Sequence, residues 1–202
     1  MLSGVTVFNI REYLSGDDKF LGEEQLQQVL SEFLCSRNTD VDKFLKEQAI
    51  DFTKKNQSVT YLIFSNEDAE LVGYFTLTIK PISVNADAFS NTMKRKIARV
   101  SELDESTGTY TLSAYLIAQL GKNFANDANK KITGEQLLQA AVDTIKELQY
   151  MAGGMVVFLE AEDREELMRF YESKNGFKRF SVRQMQPKSG DNHELVQLLK
   201  VL

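Results

Sequence analysis

The sequence predicts an α/β fold in which strands and helices follow each other along most of the chain. Short β-rich apolar runs indicate the strands, and longer segments with apolar residues at helical spacing indicate the helices. Taken together they give the order β-α-α-β-β-insert-β-α-β-α-β-β. The chain has 202 residues, of which 43% are hydrophobic and 26% charged, as is typical of a single globular domain.

The first half of the chain is expected to contain one strand, two helices and a hairpin. Residues 5–10 predict the first strand, residues 23–34 a helix, and the stretch from Asp40 a second helix. The runs VTYLIFS and LVGYFTLTI, joined by NEDAE, predict the two strands of a hairpin. Pro81 is expected to stop the second of these strands, because proline cannot donate to a strand ladder.

An insert at about 82–110 follows the hairpin. This stretch is polar and irregular, with basic residues clustered between Lys94 and Arg99 and the acidic sequence SELDESTG after them. Such a segment is either a long loop that carries a short helix or a lid over a site.

The second half of the chain returns to regular elements. LSAYLIAQL predicts a strand, and residues 134–149 predict a helix after a polar loop. Met155–Leu159 is a continuous apolar run, as expected for a central strand that is covered on both faces. Asp163 is expected to cap the next helix and Asn175-Gly176 to end it, before FKRFSVRQM and the end of the chain supply two more strands.

Composition narrows the classes of function. A net charge of −5 and a pI near 5.1 argue against a general nucleic-acid binder, which needs a surplus of Lys and Arg. The single cysteine, Cys35, cannot form an internal disulfide, and no apolar run approaches the roughly 20 residues that cross a membrane. The N-terminus has no secretory signal pattern. A soluble cytoplasmic protein without membrane contact is therefore expected.

The loop before Gly134 has the features of an anion site. A helix N-terminus presents backbone N–H groups and the positive end of the helix dipole. Lys130 and Lys131 add positive charge, while Thr133 and Gly134 allow the backbone to approach closely. The alternative is a plain surface loop, in which Gly134 serves only as the helix cap.

The element order resembles the GCN5-related N-acetyltransferase (GNAT) family over essentially the full chain, and three motifs carry the resemblance. LMRFYESKNGFKRF is similar to the signature of the family's fourth helix, an aromatic-Tyr pair followed shortly by Gly-Phe. YLIAQLGKN is similar to the strand before the cofactor loop, and KKITGEQLLQAA to the pyrophosphate loop and its helix. Residues 35–79 resemble the branch that includes the toxin acetyltransferases.

The resemblance implies the GNAT fold, a central, mostly antiparallel twisted sheet flanked by helices, in one domain over residues 1–202. It implies an N-acetyltransferase that moves an acetyl group from acetyl-CoA to a primary amine by direct attack on the thioester. The residues that it assigns to the cofactor are Leu120, Gly121 and Lys122 for the pantetheine arm and Lys130, Lys131, Ile132, Thr133, Gly134 and Glu135 for the diphosphate. The family loop reads Gln or Arg, two residues, Gly, one residue, Gly or Ala, where this chain has Asn129, Ile132 and Gly134.

Tyr171 is the residue that the resemblance assigns as general acid. A phenol with a pKa of about 10 can protonate a departing thiolate, whose thiol has a pKa of about 8.5. Four residues separate Tyr171 from Gly176, one more than in the family pattern, and the extra residue is expected to lengthen the end of the helix. The alternative is that Tyr171, beside Phe170 on an amphipathic helix, belongs to the core.

Glu160 is the candidate general base, because a carboxylate at a strand end can accept the proton of the attacking amine. Glu162, two residues further on, is a second candidate base. For both carboxylates the alternative is a solvated charge or a helix cap. His193, the only histidine, is expected to be a solvent-facing loop residue, and no metal site is expected.

The acceptor is expected to be a small-molecule or peptide amine. The acidic balance disfavours a tRNA acceptor, since the basic cluster is confined to the insert. The alternative function is a non-catalytic interaction module on the GNAT fold with a degenerate cofactor loop. The exposed edges of the sheet would allow a homodimer, although no pattern requires one.

Overall fold

The computed structural model describes residues 4–14, 22–184 and 194–202, and its strands form an eight-stranded sheet. The strands are β1 (Val5–Asn9), β2 (Val59–Ser65), β3 (Leu71–Asn85), β4 (Leu103–Asp104), β5 (Thr109–Lys122), β6 (Val156–Glu162), β7 (Lys178–Gln184) and β8 (Glu194–Val201). The helices are α1 (Ile10–Leu14), α2 (Gly22–Ser31), α3 (Thr39–Glu47), α4 (Ala49–Lys54), α5 (Asn91–Ile97), α6 (Gly134–Ala152) and α7 (Glu165–Met168). The predicted fold class and element order are confirmed, with α1 and the break between α3 and α4 as additions.

The chain divides into two compact units, Met1–Thr78 with Ile117–Glu147 and Ile79–Leu116 with Leu148–Leu202. Strands β3 and β5 therefore contribute residues to both units. In the first unit the strand order is β1-β2-β3-β5, and β1 with β2 and β2 with β3 are antiparallel pairs. In the second unit the order is β3-β5-β6-β8-β7, and β8 is antiparallel to both β6 and β7.

The core of the first unit lies between the helices α1 to α4 and the strands β2 and β3. Apolar residues recur at helical spacing in α2 and α3, so each helix buries one face. Asn38 caps α3, its side chain accepting hydrogen bonds from the backbone N–H groups of Asp40 and Val41. The buried cluster contains Ile10, Leu26, Leu30, Phe33, Val41, Phe44, Leu45, Leu62, Leu71 and Tyr74. Full burial of each such side chain contributes about 1.5 to 3 kcal/mol.

Asn123 joins three segments of the first unit immediately after β5. Its side chain is 97% buried, and its Nδ2 donates to the Leu71 carbonyl at 2.7 Å. Its Oδ1 accepts from the backbone N–H groups of Leu34 at 2.9 Å and Ala125 at 3.0 Å. This one amide connects the segment that follows α2, the start of β3 and the segment that follows β5. It therefore fixes where the loop before α6 begins.

Strand β3 continues past Pro81 to Asn85, so the prediction that Pro81 stops this strand is wrong. The register explains the exception. Strand β2 begins at Val59, opposite Leu77, and leaves the following part of β3 without a partner on that side. Pro81 is exposed and lies in this stretch, where a missing N–H group costs no ladder hydrogen bond.

The insert of the second unit is a packed substructure. It covers residues 86–108, which is narrower than the predicted 82–110, and it consists of a 3-10 turn, α5 and the short strand β4 beside β5. Phe89 and Ile97 are buried in one cluster with Tyr110. The short helix predicted for the insert is therefore present, and its apolar residues anchor it to the strands of its own unit.

Replacement of Asn123 by Ala is expected to lower the free energy of unfolding by about 2 to 4 kcal/mol, since one buried carbonyl and two partly buried N–H groups lose their partner. Chemical denaturation measures the loss. Asn129→Ala is the matched control, because Asn129 lies six residues further along the same loop and makes no side-chain hydrogen bond within the described residues. Equal stabilities of the two variants would contradict the structural role of Asn123.

Candidate active site

The loop between β5 and α6 belongs to the first unit and carries four of the nine predicted cofactor residues, Lys130, Lys131, Ile132 and Thr133. It contains a 3-10 segment, Ala125–Lys130, in which Asn126 and Asp127 have φ values of 48° and 62°. Asparagine and aspartate tolerate this left-handed conformation better than most residues. The two consecutive left-handed residues turn the chain sharply, so that residues 131–133 lead directly into α6.

A capping box closes the N-terminus of α6. The Gln136 N–H donates to Thr133 Oγ1 at 3.1 Å, and the Thr133 N–H donates to Gln136 Oε1 at 2.9 Å. Thr133 is thus the cap, and Gly134 is the first helical residue. The Lys131 N–H donates to the Ala128 carbonyl. Among the described residues no acceptor bonds to the N–H groups of Ile132 and Gly134. Of the N–H groups predicted to bind the diphosphate, these two therefore stay available, whereas those of Lys131 and Thr133 are already bonded.

Both lysines of the loop are held in ion pairs. The Lys131 ammonium group donates to Asp68 and Glu70, and these two bonds raise the pKa of Lys131. Lys130 pairs with Asp127 at 2.8 Å, and both side chains are about 70% exposed. The positive charge that the sequence placed at this helix N-terminus is therefore largely balanced by neighbouring carboxylates.

Lys122 and Arg37 provide a second source of positive charge near the loop. Burial lowers the pKa of Lys122, and the charge of Arg37 lowers it further, against the opposing effect of Glu135. Arg37 also lies over the Phe124 ring at 5.1 Å from its centroid. Sequence analysis placed Lys122 in the site but missed Arg37, because the two residues are 85 positions apart and no local pattern links them.

Gly121 is required by close packing within the first unit. A Cβ atom at this position would lie 2.5 Å from Val41 Cγ1 and 3.2 Å from a Tyr74 ring carbon. Leu120 and Lys122, the neighbours of Gly121 in β5, are predicted to bind the pantetheine arm through their backbone N–H groups.

The Asn123 N–H donates to the Val72 carbonyl in β3. Because N–H groups alternate along a strand, those of Leu120 and Lys122 point to the edge of β5 away from β3.

Tyr171 lies in the second unit, within a π-helical segment, Arg169–Lys174, that continues α7. Its ring makes edge contacts with Phe170 and Phe177, at centroid distances of 4.9 and 6.0 Å. Its hydroxyl makes no hydrogen bond to any described residue, and burial among these apolar groups raises the pKa of Tyr171 to about 12. The phenol is thus kept neutral and has a free donor.

Glu160 lies near the end of β6, also in the second unit, and its carboxylate is already engaged. Gln197 Nε2 donates to Oε1 at 2.7 Å, and Arg183 pairs with Oε2 at 3.1 Å. Glu160 faces Gln197 in the register of β6 and β8, so the three side chains form a polar row across the sheet. A carboxylate has about four acceptor positions, which leaves capacity for a further donor.

The helix that carries Tyr171 begins differently from the prediction. It starts at Glu165 with Arg164 as an N-cap residue whose side chain makes no cap bond. Asp163, predicted as the cap, instead forms a two-pronged pair with Arg179, at 2.9 and 3.2 Å. Because Arg179 is in β7, this pair ties the start of α7 to the strand that follows it.

The remaining candidates give no second site. Cys35 is buried, and burial raises the pKa of its thiol, so it is a poor nucleophile. His193 lies outside the described residues. Within the described part of the chain there is no cluster of three or more His, Cys, Asp or Glu residues that would hold a metal ion. No helix among the described residues is long and apolar enough to cross a membrane.

Comparison with known proteins gives structural relatives only. No protein-family model and no curated protein matches the chain. A structure of AtaT complexed with acetyl-methionyl-tRNAfMet matches with a TM-score of 0.61 at 16% identity, over 95% of this chain and 93% of that one. A tyrosine-to-phenylalanine mutant of KacT gives a TM-score of 0.62 at 17% identity, over 98% and 95%. An AtaT mutant of the same type, bound to acetyl-CoA and the C-terminus of the antitoxin AtaR, gives 0.56 at 17%, over 98% and 94%.

These relatives confirm the predicted fold. AtaT and KacT are GNAT-type toxin acetyltransferases, and nearly the whole of this chain follows their course. The predicted resemblance to the toxin branch is thereby confirmed at the level of the fold. At 14 to 17% identity the structural likeness carries no residue assignments, so the roles of the individual site residues stay predictions.

The environment of Tyr171 predicts a pH-dependent difference in stability. A phenol whose pKa is raised from 10 to about 12 on folding stabilises the protein below pH 10, and this contribution is lost as the pH rises from 10 to 12. Relative to Tyr171→Phe, the wild type is expected to lose about 1 kcal/mol of unfolding free energy at pH 11. Urea denaturation of both proteins at pH 8 and pH 11 measures it. An unchanged difference between the two pH values would mean that Tyr171 has an ordinary pKa.

Proposed function

We propose that this protein is an acetyltransferase that moves the acetyl group of acetyl-CoA to a primary amine. The observation that carries the proposal is Tyr171, a neutral phenol that packs against the Phe170 and Phe177 rings and whose hydroxyl makes no hydrogen bond to a described residue. The fold supports it, since the AtaT relative is solved with acetyl-CoA. Tyrosine-to-phenylalanine mutants of both AtaT and KacT have been solved, which fits a role for a tyrosine hydroxyl in proteins of this fold.

Tyr171 is proposed to stabilise the leaving sulfur. Acetyl-CoA supplies the thioester that the amine attacks, and the C–S bond then breaks with its electron pair on sulfur. The Tyr171 hydroxyl donates a hydrogen bond to this sulfur as the charge develops. With a pKa of about 12 against about 8.5 for an ordinary thiol, full proton transfer is uphill unless burial also raises the pKa of the thiol. Hydrogen-bond donation from a protonated phenol is therefore the larger part of its role.

Glu160 is the base in the same proposal. The amine nitrogen must lose a proton after attack, and the Glu160 carboxylate can accept it directly or through one water. Arg183 and Gln197 hold the carboxylate in place. These two contacts fix the orientation of the carboxylate oxygens.

The first unit offers the groups that acetyl-CoA needs. The N–H groups of Ile132 and Gly134, which have no acceptor among the described residues, and the dipole of the 19-residue helix α6 suit a diphosphate. Lys122 and Arg37 supply positive charge for the phosphates, since Lys130 and Lys131 are already paired with carboxylates. The backbone N–H groups of Leu120 and Lys122, which point away from β3, suit the carbonyl groups of the pantetheine arm.

The acceptor belongs to the class of primary amines. AtaT is solved with acetyl-methionyl-tRNAfMet, whose acetyl group sits on an amine of this class. Arg95 and Lys96 of α5, and Arg99 just after it, are exposed, and Lys94 is the one residue of the group paired with a carboxylate, Asp87, among the described residues. This patch favours an aminoacyl-tRNA, whereas the net charge of −5 favours a small-molecule or peptide amine.

One observation favours the alternative, a non-catalytic interaction module. The capping box of Thr133 and Gln136 and the pairing of Lys131 with Asp68 and Glu70 satisfy the loop internally. A loop whose N–H groups and ammonium groups are already bonded has fewer donors left for a diphosphate. Calorimetric titration with acetyl-CoA and with CoA separates the two: micromolar binding, about 8 kcal/mol, supports the enzyme, and no binding of either supports the module.

Tyr171→Phe is expected to lower kcat about 10²- to 10⁴-fold, because the hydroxyl acts only as the C–S bond breaks. The Kd for acetyl-CoA is expected to change less than threefold. Release of CoA thiol in the presence of amine acceptors, including charged tRNA and amino-acid amides, measures turnover. Tyr150→Phe is the control, since Tyr150 is 94% exposed at the end of α6. Full activity of the Tyr171 variant would remove this residue from the chemistry.

Lys122→Gln is expected to raise the Kd for acetyl-CoA about tenfold, because a half-buried ammonium group is screened less by water and would attract the phosphates more strongly than an exposed one. Lys130→Gln removes the same charge from the same loop and is expected to change Kd less than twofold, since that ammonium group is exposed and screened. Calorimetry on both variants makes the comparison. A larger effect of Lys130→Gln would indicate that the phosphates bind at residues 130–135, as the sequence predicted, and not at Lys122.

A further inference from the structure

The segment that carries Tyr171 changes helix type in the middle. Residues of α7 form α-helical turns up to Met168, and Arg169–Lys174 then form a π-helical turn. A π turn contains one residue more than an α turn and is found mostly where a function requires it. The four residues between Tyr171 and Gly176, one more than in the GNAT pattern, are accommodated here, within the helix rather than by lengthening its end.

Asn175 closes the π turn with its side chain. Nδ2 of Asn175 donates to the Phe170 carbonyl at 2.8 Å, while its backbone N–H donates to the Glu172 carbonyl. The Phe177 N–H donates to the Tyr171 carbonyl at 3.0 Å. The carbonyls of Phe170 and Tyr171, on either side of the Tyr171 Cα, are therefore both hydrogen-bonded. The Phe170 carbonyl is bonded by the Asn175 side chain.

Lys200 of β8 holds the turn from the sheet. Its Nζ donates to the Asn175 carbonyl at 3.0 Å and lies 5.8 Å from the centroid of the Phe177 ring. Phe177 is buried and is one of the two rings that Tyr171 packs against. Asn175 and Lys200 thus connect the backbone around Tyr171 to a strand of the same unit.

We propose that Asn175 is a positioning residue for Tyr171: its amide on the Phe170 carbonyl fixes the π turn and thereby the direction of the phenol. The proposal rests on the proposed role of Tyr171 in acetyl transfer. In an unclosed turn the segment can relax towards α geometry, which rotates the phenol relative to the sheet. A displacement of about 1 Å in a reacting group costs up to about 10²-fold in rate.

A double-mutant cycle on kcat tests the proposal. Asn175→Ala and Asn175→Asp, which keeps the size but loses the N–H donor, are each expected to lower kcat at least tenfold with less than a twofold change in the Kd for acetyl-CoA. In a Tyr171→Phe background neither is expected to lower kcat further, because Asn175 acts through the phenol. Ser173→Ala is expected to match the wild type, because Ser173 is exposed in the same turn and its side chain makes no hydrogen bond within the described part of the chain.

Additive losses in the cycle, or an active Asn175→Asp variant, would overturn the assignment. If Asn175→Ala does not fold, as judged by circular dichroism, Lys200→Met removes the bond on the Asn175 carbonyl and enters the same cycle with the same expectation. These outcomes concern the rate and not the binding of acetyl-CoA, so a binding defect points to a structural role.

An NMR measurement is independent of any activity. With ¹³Cζ-labelled tyrosine, the resonance absent in Tyr171→Phe identifies Tyr171, and the Phe170 and Phe177 rings shift it. Asn175→Ala and Asn175→Asp are expected to move this resonance, and Ser173→Ala to leave it in place. An unmoved resonance in both Asn175 variants overturns the positioning role. A moved resonance in a protein without turnover supports the positioning role and rejects the proposed function.

Discussion

The first unit depends on a single buried amide. Asn123 satisfies a carbonyl of β3 and two backbone N–H groups from different loops, at a point where the chain leaves the sheet. Buried backbone groups need partners, and here no ladder can supply them. The side chain therefore determines both where β5 ends and the direction in which the loop departs towards α6. Everything that the loop presents, from its left-handed residues to its capping box, is built on this junction.

The elements that could be predicted are those with a strong local pattern. The continuous apolar run of β6 and the periodic apolar residues of α6 needed no partner to be recognised. Pro81 misled because its effect depends on whether β2 reaches it, which is a matter of register between distant segments. Thr133 and Gln136 have the spacing of a capping box, so this cap was visible in the sequence.

The electrostatics of the site could not be predicted, because they arise from pairs far apart in the chain. Lys131 meets Asp68 and Glu70 from the turn between β2 and β3, and Lys122 is influenced by Arg37 from the stretch between α2 and α3. A count of lysines near a helix N-terminus therefore overstates the charge available to a ligand. The phenol of Tyr171 shows the same limit, since its pKa follows from rings that the π turn places around it.

The unpaired side of β3 bears on how copies of this protein can associate. Within the described part of the chain β3 has no partner from β2 beyond Leu77, and an open edge of this kind invites a strand from another molecule. Pro81 removes one donor from that edge, and the exposed Lys80 beside it adds a charge that an incoming strand would have to bury. Both features make this stretch a poor template for an added strand. Pro81, predicted to break the strand, thus acts on the edge of the sheet in the way that proline does on many natural edge strands.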